Sequence, residues 1–300
     1  MSELDAVIRD LRDESAELDQ YVQGLPEEQW RRATPAAGWT VAHQIAHLAW
    51  TDSVALLSAS DPDAFAAEVA KAAADPEGFV DVGAAQGAAL PPAELLARWR
   101  AGRERLHDVL VNAPAGTRFP WYGPPMSVAS MATGRLMETW AHGQDVADAL
   151  GITRTPTARL RQVVRIGVRA RDYAFFVRGL KPPQEEFRVE LVGPGGEFWA
   201  YGPEDAAQRV TGPALDFCLL ATQRAHRADL ALRAEGPDAD AWLDIAQAFA
   251  GPAGEGRAPK GATGSGGAAG ATGPGDAAGS AGPDAGRGGA AGPTGQGAPA

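Results

Sequence analysis

The stretch Gly38–Leu48, GWTVAHQIAHL, decides how the first half of this chain folds. Its threonine, Thr40, suits the N-cap of a helix, and apolar residues then recur at helical spacing to about Ser60. The same stretch holds two histidines one helical turn apart, His43 and His47. Because residues four positions apart lie on one face of a helix, we expect the two imidazoles to share a stripe of this helix.

Three more long segments show helical periodicity in the first half of the chain. They cover residues 4–22, the stretch from Pro91 to the closing Pro114, and residues 127–150 before Gly151. A short alanine-rich helix is expected over 62–74. Four long helices within about 150 residues are typical of a four-helix bundle.

The pattern changes after Gly151, because two short segments alternate at period two around a glycine-rich turn. Residues 187–191 and 197–201 therefore predict a β-hairpin. Helices are expected over residues 157–177, 214–224 and 238–249, and a further strand over 229–233. The sequence thus predicts an α+β protein, with a metal-binding four-helix bundle over 1–152 and a small α+β domain over 153–250.

The last 50 residues differ from the rest in composition. Residues 251–300 contain 18 Gly, 14 Ala and 6 Pro, and no aromatic residue. Such a segment buries too little apolar surface to offset the entropy of ordering it. We expect a disordered Gly/Ala/Pro tail.

Charge and cysteine content exclude several classes of function. The formal net charge is −11, and no cluster of Lys and Arg offers the basic surface that nucleic acids require. No apolar run approaches the length of a membrane span, and the N-terminus lacks the features of a signal peptide. The single cysteine, Cys218, permits no internal disulfide. We therefore expect a cytoplasmic protein without nucleic-acid or membrane partners.

The predicted fourth helix contains a candidate pair of metal ligands. Glu138 and His142 are four residues apart, so their side chains lie on one face. With one imidazole from His43 or His47, they form a His₂Glu set, which divalent metals use when one position stays open. A solvated surface pair is the alternative interpretation of Glu138 and His142.

Residues 38–48 and 138–146 together resemble the mycothiol-dependent maleylpyruvate isomerase metal-binding family of actinobacteria, within the DinB-like superfamily. The resemblance extends over about residues 4–250. It implies a bundle with a His, Glu, His divalent-metal site, followed by a small α+β domain resembling sterol-carrier folds. It also assigns the ligands to His47, Glu138 and His142, and gives His43 no ligand role.

Five other residues are candidates for supporting roles. Arg135 shares the face of Glu138, where it could hold a substrate carboxylate or form an internal ion pair with Glu138 or Asp145. Asp145 lies one turn beyond His142 and could orient its imidazole, or face solvent. Arg224 and Arg227 could hold a cofactor carboxylate or sugar, although plain surface arginines are the simpler interpretation. His43 lies on the same helix face as His47 and could contact a metal ligand without binding the metal itself.

Two functions are compatible with these residues. In the first, a divalent ion, most simply Zn²⁺, activates a low-molecular-weight thiol that attacks a small electrophilic substrate, giving an isomerase or an S-transferase. The resemblance implies that the thiol is mycothiol. In the second, the bundle binds a metal or small molecule without catalysis, as a sensor or carrier. No catalytic residue beyond the metal ligands is assigned by the sequence.

Overall fold

Helices dominate the first two thirds of the computed structural model, which describes residues 2–76 and 78–261. In chain order they are α1 (Glu3–Val22), α2 (Glu27–Trp30), α3 (Val41–Ser60), α4 (Pro62–Ala74), α5 (Phe79–Ala88), α6 (Pro92–Asn112), α7 (Val128–Leu150), α8 (Leu160–Arg169), α9 (Arg171–Phe176), α10 (Ala214–Ala221) and α11 (Pro237–Ile245). The strands are β1 (Arg118–Phe119), β2 (Met126–Ser127), β3 (Phe187–Val192), β4 (Phe198–Tyr201), β5 (Gln208–Pro213) and β6 (Arg233–Glu235).

The four long helices α1, α3, α6 and α7 pack together as a bundle, and their ends follow local sequence signals. Thr40 caps α3, and the Ser127 hydroxyl accepts a hydrogen bond from the Ser130 N–H at the start of α7. Gly151 ends α7 in the left-handed region, with φ of 72°, which a residue without a Cβ adopts at little cost. The two helices that carry the candidate ligands therefore begin and end where the sequence predicts.

A four-stranded sheet in the order β4-β3-β5-β6 forms the second half of the protein. The predicted hairpin is present as the antiparallel pair β3 and β4, whereas β5 runs parallel to β3, with Val189 opposite Val210. Helices α10 and α11 pack against β5. This mixture of a helical bundle and a small sheet confirms the α+β fold class.

Several local predictions were wrong. The single helix expected over 157–177 is two helices, α8 and α9, with Ala170 between them. The strand expected over 229–233 is a 3₁₀ turn at Arg227–Asp229 followed by β6. Strand β5 and helices α2 and α5 were not predicted. In β5, tertiary pairing with β3 forms a strand from a sequence with little period-two alternation.

One hydrophobic cluster joins the two halves, since Val7 and Ile8 of α1 belong to the same buried cluster as Val189 and Trp242. The division into domains at residue 152, and the sterol-carrier likeness, stay predictions. The beginning of the predicted tail contacts the folded part, because Tyr173 Oη donates to the carbonyl of Gly251 at 2.9 Å. The remainder of that tail, residues 262–300, lies outside the described residues. Among the residues described, every helix is too short or too polar to cross a bilayer.

Helix α5 packs closely on α3 because it presents glycines to it. A Cβ at Gly83 would lie 2.9 Å from the Trp50 ring, and one at Gly87 would lie 2.7 Å from the Ala46 Cβ. Both distances are shorter than van der Waals contact. The close approach of α5 to α3 therefore requires residues without side chains at positions 83 and 87.

We predict that Gly87→Ala destabilises the protein by about 1–3 kcal/mol, because the added methyl group forces α5 away from α3. Gly102→Ala in α6 is the matched control, since its Cβ would meet nothing closer than 4.0 Å. That substitution should instead stabilise by about 0.5–1 kcal/mol, through helix propensity alone. Denaturant unfolding of both variants measures the two effects. Equal stability changes would show that the close approach does not constrain α5.

Candidate metal centre

The structure brings His47, Glu138 and His142 together inside the bundle. His47 extends from α3, and Glu138 and His142 extend from adjacent turns of α7. One potential ligand atom from each residue lies within 4.8 Å of the other two. All three residues are at most 1% exposed, so the alternative of a solvated surface pair is excluded. Their role as metal ligands stays a prediction.

The carboxylate of Glu138 lies between the two imidazoles. Its Oε2 is 3.2 Å from His47 Nε2 and 3.5 Å from His142 Nε2, whereas its Oε1 has no hydrogen-bond partner in the described part of the chain. Burial alone would raise the pKa of Glu138, but the neighbouring imidazoles of His142 and His47 lower it below the ordinary value. A buried carboxylate that stays ionised, with one oxygen unsatisfied, fits a cation.

A chain of hydrogen bonds fixes the orientation of the His142 ring. The Thr34 hydroxyl donates to the backbone carbonyl of Trp39 at 2.9 Å, so its oxygen accepts from Gln44 Nε2 at 2.9 Å. The opposite atom of that amide, Gln44 Oε1, then faces His142 Nδ1 and accepts its proton. In the neutral imidazole the proton is therefore on Nδ1, and Nε2 presents a lone pair to Glu138.

This tautomer has a direct consequence for the site. Two lone-pair-bearing atoms, His142 Nε2 and Glu138 Oε2, face each other 3.5 Å apart. A positive group is required between them, and a proton or a divalent metal ion fills that role. The donor set, its burial and its tautomer all fit a metal with His₂Glu ligation.

Aromatic rings cover the two imidazoles. The Trp39 ring stacks on His142 with centroids 5.8 Å apart, and its centroid is 5.4 Å from that of His47. Trp50 contacts His47 from another side, at 6.0 Å. Helix α5 lies over these tryptophans, because Asp81 accepts a hydrogen bond from Trp39 Nε1 at 2.9 Å and Phe79 packs on Trp50. The candidate ligands are thus enclosed by an apolar wall.

His43 and Arg135 both have structural partners. His43 Nδ1 lies 2.8 Å from the Thr40 hydroxyl at the start of α3, and burial lowers the pKa of this imidazole. Arg135 is buried and donates to Asp52 at 3.0 Å and to the Thr51 hydroxyl at 2.6 Å. The internal ion pair expected for Arg135 is present, but its partner is Asp52 rather than Glu138 or Asp145.

Asp145 joins the bundle to the second half of the chain. Its Oδ2 accepts from the buried Arg224 at 2.9 Å, and its Oδ1 pairs with Arg257 of the predicted tail. Of the two alternatives for Asp145, exposure to solvent is therefore excluded, and the interpretation of Arg224 as a surface arginine was wrong. Arg227 does lie at the surface, where it pairs with Asp240 and Asp244.

The sequence interpretation missed the residues that surround the ligands. Gln44 is buried within the quoted stretch, at a position where an apolar side chain would be expected on a bundle helix. A buried amide one turn from a ligand on the same helix is the signal that could have identified it. Thr34 and Trp39 precede the helix, and no sequence spacing relates them to His142.

Comparison with known proteins places the bundle in a family. Residues 11–147 match the model of the mycothiol maleylpyruvate isomerase N-terminal domain, a range that contains all three candidate ligands. Two mycobacterial relatives, Uncharacterized protein MT0041 and Uncharacterized protein Rv0036c of Mycobacterium tuberculosis, are each 58% identical over 250 residues, which is 83% of this chain and 97% of the relative. The chain belongs to the mycothiol maleylpyruvate isomerase family.

Solved structures of this family share the fold. The crystal structure of the mycothiol-dependent maleylpyruvate isomerase has a TM-score of 0.53 and 17% identity, covering 79% of this chain and 96% of the other. A histidine-to-alanine mutant of that isomerase gives the same TM-score with 16% identity. A separate match, to a model described as wyosine base formation, covers residues 183–235, which contain strands β3 to β6.

We predict that His47→Ala and His142→Ala lose the bound metal, because each removes one of three ligands. His43→Ala should retain it, because His43 contacts the cap of α3. Metal content after purification, measured by mass spectrometry, distinguishes these variants. Loss of metal from His43→Ala, with retention in His47→Ala, would reverse the assignment of the helix face.

Gln44→Leu should lower metal affinity by about 10- to 100-fold, the usual effect of removing a group that orients a ligand. Thr34→Val should have a smaller effect in the same direction, since it frees the Gln44 amide to rotate. Gln144→Leu on the surface of α7 is the matched control and should bind as the wild type. Competition with a chelator measures each affinity. An unchanged affinity in Gln44→Leu would show that His142 needs no orienting partner.

Proposed function

We propose that this protein is a divalent-metal-dependent enzyme that uses a low-molecular-weight thiol, mycothiol, to isomerise a small electrophilic substrate. The observation that carries the proposal is the buried His47, Glu138 and His142 set, with one potential ligand atom from each within 4.8 Å of the other two. Zn²⁺ is the metal we propose, because nitrogen and carboxylate ligands in a three-residue set suit it and leave a fourth position for a thiol.

A bound divalent ion would lower the pKa of a thiol at that fourth position and supply a thiolate at neutral pH. Three residues of the chain would favour thiolate binding at this fourth position. Glu138 offsets the positive charge, Gln44 holds the His142 lone pair toward the centre, and Trp39 limits the entry of water. An enclosed site of this kind strengthens electrostatic interactions within it.

The reaction class follows from the chemistry of a thiolate. Addition of the thiolate to an unsaturated acid forms a carbon–sulfur bond, converts the carbon–carbon double bond to a single bond and leaves a carbanion on the neighbouring carbon. The adduct can rotate about that single bond. Elimination of the thiolate then restores the double bond with the opposite geometry, which is cis–trans isomerisation. If the carbanion is protonated instead, the thiol stays attached and the enzyme is an S-transferase. Isomerisation is our proposal because the relatives in this family are named for it.

Complete burial of the ligands favours a second candidate function. A site whose residues are at most 1% exposed, under Trp39 and Trp50, also suits a protein that stores or senses a metal without turnover. Catalysis requires a thiol to reach the open position, so helix α5 or the tryptophans would have to move. The two functions thus differ in whether a thiol gains access.

Cobalt substitution tests this difference, because the visible spectrum of Co²⁺ reports its ligands. We predict that adding a thiol shifts the absorbance of the cobalt protein, and that mycothiol does so at lower concentration than 2-mercaptoethanol. Asp81→Asn, which weakens the hydrogen bond from Trp39 to α5, should speed the shift. A cobalt protein whose spectrum responds to no thiol would favour the sensor or carrier.

Three further points belong to this proposal. A small-molecule substrate and the thiol are the proposed partners, and a cytoplasmic location is retained from the sequence analysis. We also propose that residues 1–152 form the metal-binding unit and residues 153–250 a separate α+β unit. The ion pair between Asp145 and Arg224 links these two units beside the candidate centre.

A further inference from the structure

A cavity lies at the junction of the C-terminal elements and the start of the predicted tail. Its volume is about 130 Å³, and none of the three candidate metal ligands lines it. Four basic side chains line it instead: Arg178, His226, Arg227 and Arg257. Two acidic residues, Asp244 and Glu255, also reach its wall.

Two of the three arginines are neutralised by carboxylates. Arg227 pairs with Asp240 and Asp244, and Arg257 pairs with Asp145 and Asp148. The charges of these two arginines are therefore largely neutralised by ion pairs within the protein. Both side chains line the cavity, but they are not the donors that we assign to a ligand.

Arg178 differs from them in its partners. Its guanidinium donates to the carbonyl oxygens of Ala174 and Gly254, at 3.2 and 3.3 Å, and to Gln247 Oε1 at 3.3 Å. All three acceptors are neutral, and within the described ranges no carboxylate pairs with Arg178. Burial lowers the pKa of this guanidinium. Arg178 thus retains donors and a positive charge that no ion pair neutralises within the described ranges.

His226 supplies a second donor. The backbone N–H of Ala228 donates to His226 Nδ1 at 3.1 Å, and an N–H group cannot accept. The neutral imidazole therefore carries its proton on Nε2. Because His226 lines the same cavity as Arg178, an anion there meets both a guanidinium and an imidazole.

The floor of the cavity is held by an unusual backbone conformation. Gln223 has φ of 59°, in the left-handed region where glycine is usual after a helix. Its side chain packs beneath Gly254, where a Cβ would lie only 2.0 Å from Gln223 Oε1. A side chain at residue 254 would therefore displace the Gln223 amide from this position.

We propose that this cavity binds the carboxylate group of a small organic acid, with Arg178 and His226 as its donors. A planar carboxylate matches the forked donors of a guanidinium. The cavity, at about 130 Å³, has room for a small organic acid. This site is independent of the proposed metal-dependent reaction.

Calorimetric titration of the full-length protein with sodium acetate, at constant ionic strength against sodium chloride, tests the proposal. We expect saturable acetate binding that Arg178→Gln weakens by about 10- to 100-fold, the effect of losing a charged hydrogen-bonded pair. Arg169→Gln, an exposed arginine outside the cavity, is the matched control and should bind as the wild type. Acetate binding no stronger than chloride binding, or unaffected by Arg178→Gln, would overturn the proposal.

Three further measurements keep the test independent of folding defects in Arg178→Gln. His226→Gln should weaken acetate binding by about 2- to 10-fold, the effect of one neutral hydrogen bond. Glu255→Gln should bind acetate at least as tightly as the wild type, because it removes a negative charge from the wall, and weaker binding would count against the site. Sodium phosphate should bind more weakly than acetate, and tighter phosphate binding would refute a carboxylate site.

Discussion

The candidate centre depends on one constraint, which is that the Glu138 carboxylate lies buried between two imidazoles from two different helices. An ionised group in the bundle interior is costly unless positive or hydrogen-bonding groups surround it. His47 and His142 meet that requirement only if α3 and α7 pack at a fixed distance. The chemistry of the site therefore depends on the packing of α3 against α7.

The surroundings of the ligands form a second layer that fixes their state. The hydrogen bonds from Thr34 through Gln44 select one tautomer of His142, while Trp39 contributes its carbonyl to that chain and its ring to the cover. A single loop before α3 therefore both orients a ligand and shields it. Such a layer controls access to the candidate ligands and their orientation.

Ion pairs attach the second half of the protein to α7, the helix that carries two of the candidate ligands. Asp145, one turn beyond His142, pairs with Arg224 and with Arg257, which lie far apart in the chain. Buried ion pairs of this kind add little net stability but are costly to break one partner at a time. They hold the C-terminal elements and the segment 251–261 in register with α7, and they account for an arginine inside the predicted tail.

Helical periodicity and i, i+4 spacing are local properties, so the sequence predicted the long helices and the placement of Glu138 and His142 on one face. The same spacing left His43 and His47 as alternatives, and the family resemblance selected His47. The β3–β4 hairpin followed from equally local alternation. The partners of Arg135, Asp145 and His142 depend on tertiary packing, since their contacts join segments distant in the chain. Tertiary packing also decided the parallel strand β5 and the close packing of α5, whose own residues carry weak local signals but fit the surfaces that receive them.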